Sequence, residues 1–416
     1  LTLNKALMVS KNNLKSSFQL KELFSYKYFC IFWICRVIGI TAYQILIVAL
    51  AWQLYDLTSN PLDLGLIGLF QFLPVLILSL PAGQIVDRFH KGKILGLCFF
   101  LQSIVALWLS YSSFHELISR NSFFIVAIIL GVVRTFQMPT QQSLTPSLVP
   151  RHLLQNAIAF SSSGMHTAII VGPAIGGFLY VLGPDVVYMI CTSLLIFSFL
   201  LTFLVKYKHK KNIEKISLNN LLAGVRFILN NKTLLGAISL DLFAVLLGGA
   251  TALLPVFAKD ILDVGPEGLG FLRASPAVGA LLCALLMTKW PIKEKAGQKL
   301  FISVAIFGMA MLVFGLSTSF FISIIALVVS GAADSLSVVI RMTLIQLETP
   351  DNMRGRVSSV NAIFIGASNE LGEFESGVTA SLFGAVNSIL LGSIGTIVIV
   401  FAWAKFFPTL LKRDKL

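Results

Sequence analysis

Charge is scarce in this chain: Asp, Glu, Lys and Arg make up only 12% of its 416 residues, against 56% apolar. A soluble globule of this length would have nowhere to place so much apolar surface, which excludes a water-soluble enzyme or binding module. Also missing is the G-x-x-x-x-G-K-[ST] phosphate loop, so nucleotide-driven pumping has no visible basis. Cysteine is limited to Cys30, Cys35, Cys98, Cys191 and Cys283. All lie in apolar segments without metal-ligand spacing, and they read as small buried hydrophobes, implying no disulfide framework, metal or cofactor. No nucleophile with its base and no metal cluster gathers in either half, so no enzymatic activity is expected. Tyr and Trp are few beside 33 Phe, a balance that suits lipid-facing surface.

What the chain does have is apolar run length. A helix needs about 20 apolar residues to cross the hydrocarbon core, where every backbone amide must be satisfied internally. Twelve segments qualify, at 27–54, 64–86, 94–112, 122–144, 154–180, 185–205, 234–258, 267–289, 300–317, 320–346, 357–384 and 386–410. The expected class is an all-α polytopic membrane protein. Its domains are a tail over 1–26, a six-helix bundle over 27–205, a linker over 206–232, a second six-helix bundle over 233–411 and a tail over 412–416. In the linker Leu218, Leu221, Leu222, Val225 and Leu229 recur at helical spacing, predicting an amphipathic helix on the membrane surface. Residues 1–26 lack an apolar core followed by a small-residue cleavage site, so no signal peptide is expected and the first span itself targets the membrane.

The net charge of +13 does not point to nucleic acid, because its distribution is one-sided. Of the 32 Lys and Arg, 26 fall on or beside alternate loops, while Arg120 and Lys259 are assigned to the opposite side. That asymmetry predicts that both termini and the central linker are cytoplasmic.

A shift of 205 residues lays the second half over the first. Gly65 falls on Gly270, the run Asn156-Ala157-Ile158 on Asn361-Ala362-Ile363, and Gly172 on Gly377. Around the fourth and tenth segments the shift becomes 200, placing Gly131 on Gly331. In these registers Arg36 falls on Asp241 and Arg134 on Asp334. The repeat keeps a charge and inverts its sign, as two halves closing around a central path would need. The expectation is that Arg36 meets Asp241, or Arg134 meets Asp334, across that path in at least one state. Arg134 lies about 12 residues, roughly 18 Å, from its helix end and must face a partner or a cavity.

After the second span comes Gly83-Gln-Ile-Val-Asp87-Arg88-Phe-His-Lys91-Gly-Lys93. It resembles the G-x-x-x-D-R-x-G-R-K loop of the major facilitator superfamily, departing from it at His90. The resemblance implies a cytoplasmic gate formed by Gly83, Asp87, Arg88 and Lys91. In the fifth span Gly172-Pro173-Ala-Ile-Gly176-Gly177 resembles the Gly-Pro motif of the superfamily's antiporters; Pro173 interrupts the helical ladder, which makes Gly172 and Pro173 a candidate hinge. The stretch Glu348 to Gly377, with Asp241, Gly248 to Pro255 and Asp334, looks like the branch containing the bacterial enterobactin exporter and macrolide-efflux-like permeases. That likeness runs from about residue 25 to 405. It implies the major facilitator fold, two pseudo-symmetric six-helix bundles in the bacterial inner membrane.

Glu370 and Glu373 sit three positions apart on one helix face, while Glu375 points largely away from Glu370. Two carboxylates this close in a low-dielectric site do not both ionise readily, so Glu370 and Glu373 are the leading proton carriers. The plainer alternative is that these acids neutralise Arg36, Arg134 or Arg341 as static pairs. Asp241 could equally be a structural pair with Arg36, its repeat mate, and His166 is more ordinarily a packed helix histidine. Tyr43, Gln44, Phe70, Gln71 and Phe72 could line a cavity or simply pack. The expected function is a proton-coupled secondary transporter, exporting a small amphipathic or siderophore-like compound by alternating access, as a monomer whose partners are solute, protons and lipid. The alternatives are an importer or uniporter whose acids bind the solute, or a membrane receptor that reuses the fold.

Overall fold

A computed structural model describes residues 22–207, 218–290, 294–351 and 353–414. Most of the tail expected over 1–26, the first part of the linker and the last two residues lie outside the described set. No β-strand occurs among the described residues; the elements are helices. The first half contains α1 (Lys27–Thr58), α2 (Pro61–Arg88), α3 (Lys91–Phe114), α4 (Arg120–Leu148), α5 (Leu154–Tyr180) and α6 (Pro184–Leu204). After the linker helix α7 (Leu218–Asn230) come α8 (Lys232–Gly248), α9 (Gly265–Lys289), α10 (Ala296–Leu316), α11 (Phe320–Glu348), α12 (Arg354–Phe383) and α13 (Ala385–Phe406), then a short α14 (Pro408–Leu411).

Local chemistry sets where these helices begin. Asn60 caps α2 by accepting from the Leu62 amide at 3.0 Å, with Pro61 in the first turn, where its missing N–H costs nothing. Asn231 caps α8 by accepting from Thr233 and Leu234 at 3.0 and 3.2 Å. The fifth-to-sixth connection and its counterpart in the second half each turn on a glycine at positive φ, Gly183 at 108° and Gly384 at 88°, a region that a side chain disfavours.

Among the described residues eleven helical spans are long and apolar enough to cross a membrane. The twelfth expected span, α12, is long enough at 30 residues but carries Arg354, Arg356, Glu370, Glu373 and Glu375. Part of that polarity follows from its place, for Asn369, Glu370 and Glu373 line the central cavity. The seventh span also departs from a continuous helix. Beyond Gly248 it proceeds through a 3-10 turn (Ala250–Leu253), the turn Leu254–Val256 and a π turn (Phe257–Ile261). The Gly248-Gly249 pair has poor helix propensity, and Pro255 removes a ladder N–H and crowds the preceding turn.

The two halves meet along two equivalent crossings, α2 on α12 and α5 on α9. Both are built on glycines, of which Gly65, Gly270 and Gly377 belong to the repeat. A Cβ placed on Gly65 would lie 2.9 Å from the Gly377 Cα, and one on Gly270 would lie 2.6 Å from the Pro173 carbonyl. Gly177 approaches the Pro266 carbonyl as tightly. Without side chains at these points the backbones approach as closely as small residues allow in membrane bundles. All these contacts lie toward one end of the molecule, the far end, opposite the linker helix α7 and the first and last described residues.

Helix α7 docks on the second half. Ile228 is buried against Ile345, Val357 and Val360, and Gly224 abuts the Arg356 carbonyl. Leu222 and Leu229, seven positions apart, stay exposed on the other face. The side chains of Leu218 and Leu221 lie outside the described set.

Candidate transport cavity

The bundle encloses a cavity of about 440 Å³ between the halves. Its lining runs from Arg36, Gln141 and Gln142 on the terminal side to Leu50, Ala51, Leu64 and Ala252 toward the far end. Side-chain amides are frequent in it, and its charges are Arg36, Arg134, Arg273, Glu370 and Glu373. So much polarity inside a membrane bundle marks a path rather than a packed core.

Arg134 reaches the cavity from the middle of α4 and donates from Nη1 to Glu370 Oε1 at 2.6 Å. Glu370 projects from the middle of α12, so this ion pair ties the first half to the second. Glu373, one turn further along α12, places its carboxylate 3.0 Å from where a Cβ on Gly68 would be. Among the described residues its charged neighbours are Glu370, Arg273 and Arg134. Tyr43 donates to Gln71 Oε1 at 3.0 Å, and both line the cavity with Gln44. Phe70 packs on Phe124 and Phe72 is buried, so these two belong to the helix packing.

Neither expected cross-path pair forms in this conformation. Asp241 makes its ion pair with Arg341, both buried within the second half on α8 and α11. Arg36 donates from Nη2 to the Met165 sulfur at 3.6 Å and meets no carboxylate among the described residues. Arg134 takes Glu370 instead of Asp334, which is half-buried on α11 outside the cavity lining and makes no ion pair among the described residues. The reason is geometric: residues related by a two-fold meet their own mates only beside the axis, and Arg36 and Arg134 lie off it.

One mate pair does lie on the axis, and it was invisible as a charge pattern. Tyr55 donates to Asp260, and the two are 205 residues apart. Beside them Lys259 Nζ bonds Asp56 Oδ1 at 2.5 Å. The end of α1 is thereby fastened to the end of the irregular seventh span, at the far end, above the cavity. Arg273 is a second residue that charge pairing in the repeat did not reveal, because its mate is Gly68, the residue that lies against Glu373.

The expected gate residues lie at the terminal end. Lys91 Nζ donates to the Ser143 carbonyl at 3.2 Å, within the first half, and the Lys91 amide donates to Tyr207 at 2.6 Å, at the start of the linker. Asp87 is half-buried near Lys91, Arg88 is exposed at the end of α2, and Gly83 lies half-buried one turn earlier. Burial raises the Tyr207 phenol above its usual range, with the Lys91 and Gly92 amides acting against that shift. Gly172 and Pro173 occur within unbroken α5, at its crossings with α1 and α9. His166 is exposed and does not line the cavity.

Comparison with known proteins agrees with this architecture. The chain is 22% identical over 388 residues to macrolide efflux protein A of Streptococcus pyogenes, covering 89% of this chain and 93% of that one. It is 23% identical over 364 residues to enterobactin exporter EntS of Escherichia coli O1:K1 / APEC, covering 87% and 84%. Among solved structures, a bacterial homolog of the human lysosomal transporter Spinster, inward-facing and unoccupied, matches 93% of this chain and 96% of its own at a TM-score of 0.71 and 15% identity, a likeness of fold. A family model described as a transmembrane secretion effector covers residues 22–414, so the chain belongs to that family of major facilitator superfamily transporters.

Proposed function

We propose that this multi-pass membrane transporter is a proton-coupled exporter of a small amphipathic or siderophore-like compound, working by alternating access from the bacterial inner membrane with both termini cytoplasmic. The observation that carries the reading is the Arg134–Glu370 ion pair between the halves, with Glu373 one turn away. Moving the halves apart at the far end stretches this pair. A proton delivered to the Glu370–Glu373 cluster weakens its attraction to Arg134 and lowers the cost of that movement. Solute enters from the terminal side, since the glycine crossings and the Tyr55–Asp260 and Asp56–Lys259 ties close the far end. The names of the relatives support export, because one is a macrolide efflux protein and another an enterobactin exporter.

The test is made in proteoliposomes with an inside-acid pH gradient, following internal pH on addition of amphipathic drugs or catechol siderophores to wild type and Glu373→Gln. Proton movement triggered by a compound and lost in the variant is expected. Solute flux with no proton movement in wild type would refute coupling and favour a uniporter in which Glu373, facing the cavity, binds solute directly.

A further inference from the structure

Arg36 stands apart from every other arginine inside the bundle. Arg134 is neutralised by Glu370, Arg341 by Asp241, and Arg273 has Glu373 as a charged neighbour. Among the described residues Arg36 bonds only a thioether, and its Nε is buried without a partner there. An unpaired guanidinium in a membrane interior is costly and marks a ligand path more often than a packing solution.

The internal repeat explains how this came about. The position equivalent to Arg36 is Asp241, whose partner is Arg341. In the register that serves the fourth and tenth spans, the equivalent of Arg341 is Gln141. Positions 36 and 141 thus occupy in the first half the places that 241 and 341 hold in the second, and both line the cavity. The second half holds a self-neutralising pair there, whereas the first holds a cation and a neutral amide. Met165, the repeat mate of Glu370, carries the sulfur that Arg36 touches, where the second half has a carboxylate. Gln141 Nε2 is likewise buried without an acceptor among the described residues. The two residues that carry these buried donors, one of them cationic, line a cavity whose lining carries three arginines and two glutamates.

We infer that the Arg36–Gln141 corner receives an acidic group of the solute, so that the compound carried through this cavity is an organic anion, such as a carboxylate or catecholate, rather than an amphipathic cation. The inference rests on the transport reading above and narrows its substrate class. An arginine fork and an adjacent amide can hold two oxygens of one acidic group, and the charge of the anion offsets the surplus guanidinium.

The test uses the full chain, with citrate, 2,3-dihydroxybenzoate and the cationic macrolide erythromycin as probes. Binding is measured to the protein in nanodiscs, and flux is measured separately in proteoliposomes. Three variants are compared: Arg36→Gln removes the cation, Arg36→Lys keeps its charge, and Gln141→Glu rebuilds in the first half the internal pair that the second half already folds with. At least one anionic probe is expected to bind wild type, to weaken by about tenfold or more in both Arg36→Gln and Gln141→Glu, and to bind Arg36→Lys better than Arg36→Gln. Erythromycin is expected to gain, or stay level, in Gln141→Glu. Failure of both anions to bind wild type, or anion binding equal in wild type and Gln141→Glu, overturns the inference. Erythromycin flux without anion binding would sink the anion assignment and leave the transport reading standing. Anion binding that depends on Arg36, with no flux of any probe, would do the reverse.

Discussion

Replacing Gly65 by alanine adds one methyl group at the crossing of α2 and α12, and the structure sets the size of the effect. The new Cβ would lie 2.9 Å from the Gly377 Cα and 3.0 Å from the Glu373 carbonyl, where ordinary contact begins at 3.4 Å. The helices must part by about 0.5 Å, and because backbone lies on the other side no rotamer change can relieve the contact. Overpacking of this kind costs about 1–3 kcal/mol. Charged against the far-end-closed state alone, that shifts the closed-to-open ratio by roughly 5- to 150-fold. Spin labels at exposed Leu57 and Leu382, in a background with the five free cysteines replaced, report the far-end separation by pulsed electron resonance. Gly65→Ala is expected to enlarge the long-distance population. Gly270→Ala, at the equivalent crossing against the Pro173 carbonyl, is expected to do the same. Gly366→Ala, on α12 with nothing within 4 Å of the added atom, serves as the control and leaves the distribution unchanged. Distance distributions for Gly65→Ala and Gly270→Ala that match the control would refute the idea that these glycines set the closure.

Three further outcomes follow from particular contacts. Asp241→Asn strands the buried Arg341 guanidinium and is expected to lower stability by about 3–5 kcal/mol in denaturant unfolding, while the double change Asp241→Leu with Arg341→Met recovers most of the loss; a single variant as stable as wild type would show that the pair is not structural. Asp56→Asn removes half of a partly exposed pair, so its effect on unfolding stays within about 1 kcal/mol and fades as salt is raised; a larger, salt-independent loss would contradict this. Glu370→Gln replaces the ionic partner of Arg134 at the bridge between the halves by a neutral amide, and coupled proton movement in proteoliposomes is expected to fall at least as far as in Glu373→Gln; full coupling in the variant would remove the ion pair from the mechanism.

The expectations read from the residues were strongest where the bilayer itself is the constraint. Hydrocarbon offers no hydrogen bonds, so apolar run length alone identified the spans, and α12 was recognised although its acids leave it less apolar than the other eleven. The 205-residue register picks out Gly65, Gly270 and Gly377, and the structure places these three at the crossings, where only a residue without Cβ permits that approach. Charge pairing was not legible in the same way. Inverted signs at Arg36 and Asp241 suggested a bond between mates, yet the bond between mates that exists joins Tyr55 to Asp260, where the pseudo-two-fold axis passes. A linear repeat states which positions are equivalent but not how far each lies from the axis. Span number, internal symmetry and the presence of an intramembrane acid cluster were therefore determined by sequence, through backbone desolvation and repetition. The partner of each charge, the break in the seventh span's far end and the unpaired state of Arg36 were decided only by helix rotation and close packing in three dimensions, because an ion pair needs a few ångströms of proximity that sequence spacing across 236 residues cannot specify.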